Sequence, residues 1–358
     1  MNVSEFSNSQ IVGGGRTSSS KSTLYTIKTR YKIFGITIWR KITTQIHKPF
    51  TIRATIGDND WTNIGKYVAT NPNITQEIFA LIKGLDRDSK NLVLRQISLS
   101  LKAYKSNESV ITDITKQEIA DILKERDEFF PNLFKLNDNL CAYDSYWLPT
   151  NAVTAEAFFY KYNLGILQPQ TLAKIRNKDF IDAGGYIGDS AIMFEREFCD
   201  KNIYSFEATQ TNFKLMELTL ELNNSKRVIP INKGLGAEES TMQISIYGDG
   251  SSFCHSFGQR TETAHIITLD SFVQENNIEV GFIKVDIEGF EMKFLEGAKE
   301  TIFAQKPAMV ISIYHFGTDY FRIKPLIESW NLGYTFKITK AHSPHLTVGT
   351  TLFCEVVE

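Results

Sequence analysis

The sequence predicts an α/β fold: a mostly parallel sheet closed by an antiparallel hairpin, behind a smaller, mostly helical N-terminal region. Three observations carry that prediction. From Lys178 onward, short apolar β-runs alternate with helical stretches, as βαβ crossovers and a parallel sheet require. The last two β-runs, Tyr334 to Ile338 and Thr350 to Val356, have no helix between them, so they must pair antiparallel. Between Ile74 and Phe134, apolar residues instead recur at three- and four-residue steps, the helical period.

In chain order, the Gly/Ser-rich residues 1–22 read as a disordered N-terminus. Residues 23–150 form an accessory region. Its first part alternates β-formers around Gly35, from Tyr31 to Trp39, and predicts a short hairpin. Its second part is helical, with Thr115 and Glu118 spaced as a capping box ahead of Ile119, Ile122 and Leu123. Pro131 should end that helix. Residues 151–358 form the main domain. Five strands are expected there: Phe180–Asp182, Ile203–Glu207, Val228–Ile231, Gly281–Asp286 and Met309–Tyr314. Helices are expected after the first, to Phe198, and after the second, from Asn212 to Leu222.

Composition is that of an ordinary globular chain, at 42% hydrophobic and 22% charged residues. No apolar run reaches the roughly 18 residues that a membrane-crossing helix needs. The four cysteines show no CxxC spacing, which fits a reducing cytosol and speaks against a zinc site. A net charge of −2 excludes nucleic-acid binding by bulk electrostatics. The charge is uneven, however. Nine basic residues and no acid lie between Phe6 and Gly57, interleaved with Tyr25, Tyr31, Phe34, Trp39 and Phe50. Such an arm reads first as a solvated face paired with acids elsewhere. A contact with an anionic membrane surface is the second reading, at about 1 kcal/mol per basic residue.

Two features locate a nucleotide-like ligand. Asp182-x-Gly184-x-x-x-Gly188 stands at a strand-to-helix turn, where glycine lets backbone approach a ligand and a helix N-terminus offers free N–H donors. Glu207 ends the next strand, placed to accept hydrogen bonds from both hydroxyls of a ribose. A GxGxxG fingerprint is missing, because Ala183 and Tyr186 occupy the positions that would need glycine. Asp182 suits a cationic ligand, and equally suits a role in holding the turn.

These residues resemble a known family. Asp182-Ala-Gly-Gly-Tyr-Ile-Gly-Asp189, Phe206-Glu207 with Asn212, Thr268-Leu-Asp270, and Lys284-Val-Asp-Ile-Glu-Gly-Phe-Glu291 followed by Leu295-Glu-Gly-Ala298 resemble the FkbM S-adenosylmethionine-dependent methyltransferases. Lys306-Pro307 and Ile313-Tyr-His315 resemble a branch found beside bacterial glycan-building genes. The resemblance runs from about residue 178 to the C-terminus. It departs from the family's usual pattern at Tyr186, where Asn is common, and at Ala208, where Pro is common.

The resemblance implies a Rossmann-like class I methyltransferase sheet, for which a closing antiparallel hairpin is typical. It implies S-adenosylmethionine as cofactor, held by Asp182, Gly184, Tyr186, Gly188, Glu207 and Asn212, with Tyr186 walling the methionine portion. The implied reaction is methyl transfer to a hydroxyl of a saccharide or lipid-linked glycan intermediate, in the cytoplasm or at the inner face of the membrane. The protein must then align the hydroxyl and remove its proton. Asp286 is the preferred group, acting alone or through a divalent cation such as Mg2+. Glu288 is a further candidate, and His315 is the rival base because an unperturbed imidazole titrates near neutrality. Glu291 reads as structural, at a helix start. His342 and His345 are spaced as H-x-x-H in the terminal hairpin loop, but a loop pair without a third ligand is more often plain surface. Two alternatives stand beside this reading: a nicotinamide-dependent oxidoreductase or epimerase, and a non-catalytic cofactor-binding partner in glycan assembly.

Overall fold

The computed structural model describes residues 10–11, 23–33, 36–47, 51–56, 63–150, 153, 155–247, 250–252, 260–341 and 345–357; side chains before residue 51 and at 246–260 lie outside that description. Most of the Gly/Ser-rich terminus, His342 and the side chains of the basic arm up to residue 50 are therefore not described. The hairpin predicted around Gly35 is longer than expected, with Thr23–Ile33 antiparallel to Ile36–His47.

The main sheet has seven strands: β1 (Asp179–Ala183), β2 (Ile203–Phe206), β3 (Val228–Ile231), β4 (Val280–Val285), β5 (Ala308–Ser312), β6 (Tyr334–Lys340) and β7 (Thr350–Val356). Their spatial order is β3-β2-β1-β4-β5-β7-β6. All pairings from β3 through β5 are parallel, and β7 runs antiparallel to both its neighbours. This is the mostly parallel, hairpin-closed sheet that the sequence predicts. The chain reverses direction of travel between β1 and β4, so a crevice opens at the carboxyl ends of those two strands.

The inner strands β1, β4, β5 and β7 are buried on both faces, and alternate residues feed two cores. Ile181, Ala183, Ile283, Val285, Met309 and Ile311 face one. Phe180, Phe282, Val310 and Phe353 face the other. The N-terminal helices join the first core through Ile64, Leu81, Val93 and Ile97. They are Ile64–Thr70, Ile74–Ile82 and Arg87–Ser106, the first and third capped by Asn63 and Asp86. Tyr67 stacks on Phe321 of the helix Gly317–Ser329 with ring centroids 5.4 Å apart, so the helical region packs directly on the main domain.

The helix Lys116–Lys124 begins with the expected capping box, Thr115 and Glu118 each bonding the other's backbone N–H. The helical reading does not extend to Phe134. Leu133–Asn137 is a strand, paired with Leu140–Tyr143 and onward to Tyr146–Leu148. A second small sheet, built mainly from Ser240–Tyr247 and Arg260–Ile267, also went unpredicted. The helix after β2 starts at Gln210, two residues earlier than expected, because Thr209 caps it.

Candidate active site

Three strand ends are tied together at the crevice. The N–H groups of Gly184 and Gly185 both donate to the Phe206 carbonyl, at 3.0 and 2.8 Å, and Asp286 N–H donates to the Ala183 carbonyl at 3.0 Å. The turn after β1 needs left-handed backbone at Gly184, Tyr186 and Gly188, with φ of 79°, 47° and 84°. At Gly184 the requirement is double. A Cβ there would also lie 1.8 Å from the Asp286 carbonyl oxygen. Gly184→Ala is therefore expected to destabilise the chain by at least about 2 kcal/mol. A thermal melt unchanged within about 1 °C would contradict this packing.

A cleft follows the crevice. Its walls include Gly184, Tyr186, Glu207, Asn212, Asp286 and Glu288 from the sequence prediction. Glu207 is nearly fully buried. Its Oε2 accepts from Tyr186 N–H at 3.0 Å, and its Oε1 accepts from Thr209 N–H and Oγ1 at 2.9 and 2.6 Å. These bonds hold the carboxylate rigid and leave acceptor capacity toward the cleft. Burial raises its pKa even so.

Two predicted cofactor residues sit elsewhere. Gly188 caps the helix Asp189–Glu197 in left-handed conformation and does not line the cleft. Asp182 lies behind the wall, fully buried. Its Oδ2 accepts from Ser190 and Ser205 hydroxyls at 2.7 and 2.8 Å, and its Oδ1 pairs with Lys284 Nζ at 3.1 Å. Of its two anticipated roles, the geometry supports holding the turn, through side-chain hydroxyls and a lysine. The acid of this turn that does reach the cleft is Asp189, whose pKa burial pushes up to about 6 although Lys284 pulls it down. Asp189 was legible as the residue after the last glycine of the turn. Tyr162, which also lines the cleft, stands in the left-handed run Lys161-Tyr162-Asn163 and carries no sequence signal.

At the far end of the cleft, four acids surround one imidazole. His315 is fully buried at the end of β5. Its Nδ1 lies 2.9 Å from Glu291 Oε1, and its Nε2 lies 3.5 Å from Asp286 Oδ1 and 3.4 Å from Glu288 Oε2. Glu291 Oε1 also accepts from Ile287 N–H at 3.0 Å, so Glu291 fixes both the loop and the ring. Asp319 is buried and within the field of His315 and Glu291. Glu288 itself adopts φ 55°, a strained conformation for a non-glycine residue.

The electrostatics overturn one expectation. Burial alone would lower the His315 pKa, but Glu291, Glu288 and Asp286 outweigh it and lift the ring to about 10. At neutral pH the ring is an imidazolium, which cannot serve as a base. Burial raises Glu288 to about 7, with His315 opposing and Asp286 adding to the rise. Burial and Glu291 carry Asp319 to about 8.

This donor set also suits a cation. Coordinating atoms of Asp286, Glu291 and His315 lie within 4.8 Å of one another, and carboxylates with imidazole bind divalent ions. Asp286 Oδ1 and Glu291 Oε2 are buried without a hydrogen-bond partner, a cost that a cation would relieve. His345 is exposed and bridges Arg53 through backbone; His342 lies outside the described residues.

Comparison with known proteins follows this geometry. Residues 182–336 match the methyltransferase FkbM domain. Methyltransferase 1 of Beauveria bassiana is 25% identical over 173 residues, covering 42% of this chain and 70% of that protein. A crystal structure of a methyltransferase FkbM from Methylobacillus flagellatus superposes with a TM-score of 0.55 at 17% identity. That superposition covers 83% of this chain but 63% of the Methylobacillus protein, so the chain spans less than two thirds of its length.

Proposed function

From a chain that carries a methyltransferase FkbM domain across residues 182–336, we propose an enzyme that uses S-adenosylmethionine to methylate a hydroxyl oxygen of a saccharide or glycan intermediate. One observation carries the proposal. A single cleft has a rigid, ribose-ready carboxylate, Glu207, at one end and the Asp286–Glu288 pair at the other.

The cofactor supplies a methyl group already activated by a positive sulfur. The chain's residues do the rest. Glu207 binds the ribose hydroxyls, Tyr186 and Asn212 wall the cleft beside it, and Asp189 sets a negative field along the cleft for a cationic ligand. Asp286 orients the acceptor hydroxyl for in-line attack. Glu288, with its pKa near 7, accepts the hydroxyl proton as the oxygen–carbon bond forms. His315, held by Glu291, is a positioning residue between the two carboxylates. A divalent cation such as Mg2+ would displace a His315 ring proton, be held by Asp286, Glu291 and the neutral ring, and polarise the acceptor oxygen.

Among the described residues, no helix is long and apolar enough to cross a membrane. The proposed enzyme acts in the cytoplasm or at the inner face of the membrane.

Calorimetric titration with S-adenosylhomocysteine, with NADH as control, tests the cofactor. Micromolar binding of the former alone is expected, and Glu207→Gln should weaken it by roughly 10- to 100-fold, the value of a charge-assisted hydrogen bond. Binding of NADH alone would replace this reading with the oxidoreductase. Binding of neither would leave a non-catalytic partner.

A further inference from the structure

A second cavity, of about 350 Å³, lies where the N-terminal helices meet the end of β6. We propose that this cavity is an acceptor subsite, holding a neutral, polyhydroxylated unit of the acceptor beside the unit that is methylated. It rests on the methyl-transfer reading only in calling the ligand an acceptor.

The chemistry of the walls selects the ligand class. Arg95 is already committed: it bonds Glu118 at 2.8 Å and also reaches the Asp113 carbonyl. Lys340, which borders the cavity, sits in the field of Glu118, Asp121 and Glu125. The charges of the walls thus answer one another, and none is left to demand an anionic or cationic ligand. What remains is short-range: the Asn91 amide, and the spare donor and acceptor capacity of two local pairs, Gln117 Nε2 to Asp121 Oδ1 at 2.8 Å and Thr115 Oγ1 to Glu118 Oε2 at 2.9 Å. They stand over an aliphatic floor of Ile52, Leu92 and Leu346. Mixed donors and acceptors around an apolar patch match the two faces of a sugar ring.

The floor is also firmly built. Gln96 is fully buried; its Nε2 donates to the Leu346 carbonyl at 2.9 Å and to Thr350 Oγ1 at 2.8 Å, and its Oε1 accepts from Tyr320 at 2.7 Å. A ligand here meets preorganised walls, which limits the ordering cost of binding.

The cavity adjoins the reaction cleft: Tyr162 lines the cleft, and the next residue, Asn163, donates from Nδ2 to Thr339 Oγ1 at 3.4 Å, one residue before Lys340 of the cavity wall. The Glu156 carboxylate lies in the fields of Asp286, Lys284 and Lys340. Burial, ahead of the Asp286 field, raises Glu156 to about 7, and burial lowers Lys340 to about 8. An acceptor whose reacting hydroxyl meets Asp286 would place its next unit across the Asn163–Thr339 contact, beside Lys340.

Saturation-transfer NMR on the full chain with S-adenosylhomocysteine tests this. The probes are methyl glycosides of glucose, galactose, mannose and N-acetylglucosamine, with glucuronate and inorganic phosphate as charged counterparts. At least one neutral glycoside should bind. Leu92→Trp, which fills the cavity, should abolish that signal, and Asp121→Asn and Lys340→Met should each weaken it about ten-fold. All three should keep homocysteine-ligand affinity within about two-fold, as distant sites do. Binding of glucuronate or phosphate alone, binding of no glycoside, or neutral binding that survives all three substitutions would overturn the subsite. If Leu92→Trp fails to fold, the two polar variants decide. Loss of homocysteine-ligand binding in the native chain would instead sink the cofactor reading, while the glycoside signal would still report on the cavity.

Discussion

Glu288→Gln is expected to lower kcat by about 10²- to 10⁴-fold, the usual worth of a positioned general base, with S-adenosylhomocysteine affinity nearly unchanged. Glu288 lines the cleft, and its Oε2 is 3.4 Å from His315 Nε2. Its strained backbone at φ 55° persists because the motif around it is over-determined, with Glu291 bonding Ile287 N–H on the other side. The pH dependence follows from burial, which lifts the Glu288 carboxyl to about 7. A base works deprotonated, so kcat should rise with pH through an apparent value near 7, and fall as acid protonates the site. That limb is a macroscopic value, because His315 and Asp286 both act on the Glu288 carboxyl. In the Gln variant it should disappear. Asp286→Asn should cost as much in kcat and also raise the acceptor KM, since Asp286 orients the hydroxyl. Unchanged turnover in Glu288→Gln would remove that residue from the chemistry and return the role to Asp286.

How far this site was legible depends on how local each signal is. The parallel strands were legible because buried strands read as short apolar runs and the sheet alternates with helices. The glycine turn and Glu207 were legible because both stand at the ends of adjacent strands. Of the two readings of Asp182, the contacts show the turn-holding one, because a strand's last residues point to alternate sides. Its side chain turns inward to Ser190, Ser205 and Lys284, and Asp189 faces the cleft instead. The charge on His315 could not be read at all. It depends on Glu291, far away in sequence and 2.9 Å away in space. The small sheet of Ser240–Tyr247 and Arg260–Ile267 did leave a signal, since Met242 and Ile244 alternate with polar residues, as do Ala264 and Ile266. Tyr162 left none, because its position follows from a left-handed run rather than from a repeating pattern.

Lys284→Met is expected to cost about 3–5 kcal/mol of stability, as removal of one partner of a buried ion pair does. Lys284 is almost wholly buried. Its ammonium lies 3.1 Å from Asp182 Oδ1, donates to the Gly184 carbonyl at 2.5 Å and lies 5.7 Å from the Tyr162 ring centroid. Methionine keeps the aliphatic stem and removes the charge, so the Asp182 carboxyl is left buried beside two hydroxyls with no cation. The sign of the pH effect can be worked out. Burial lowers the lysine's pKa, but Asp182, Asp286 and Asp189 more than reverse this, and the folded value lies above the ordinary 10.5. A raised lysine stabilises fully below its unfolded pKa, and that contribution is lost as pH rises through the folded one. The difference between native and Lys284→Met should therefore be flat from neutrality to about pH 10 and shrink above it. Denaturant unfolding across that range measures it. Asp182→Asn combined with Lys284→Met should recover part of the loss, because neither charge is then stranded. A double variant as unstable as the sum of the singles would show that Asp182 and Lys284 do not support each other. The turn that carries Gly184 and Tyr186 would then owe its shape to the glycines and the Phe206 carbonyl alone.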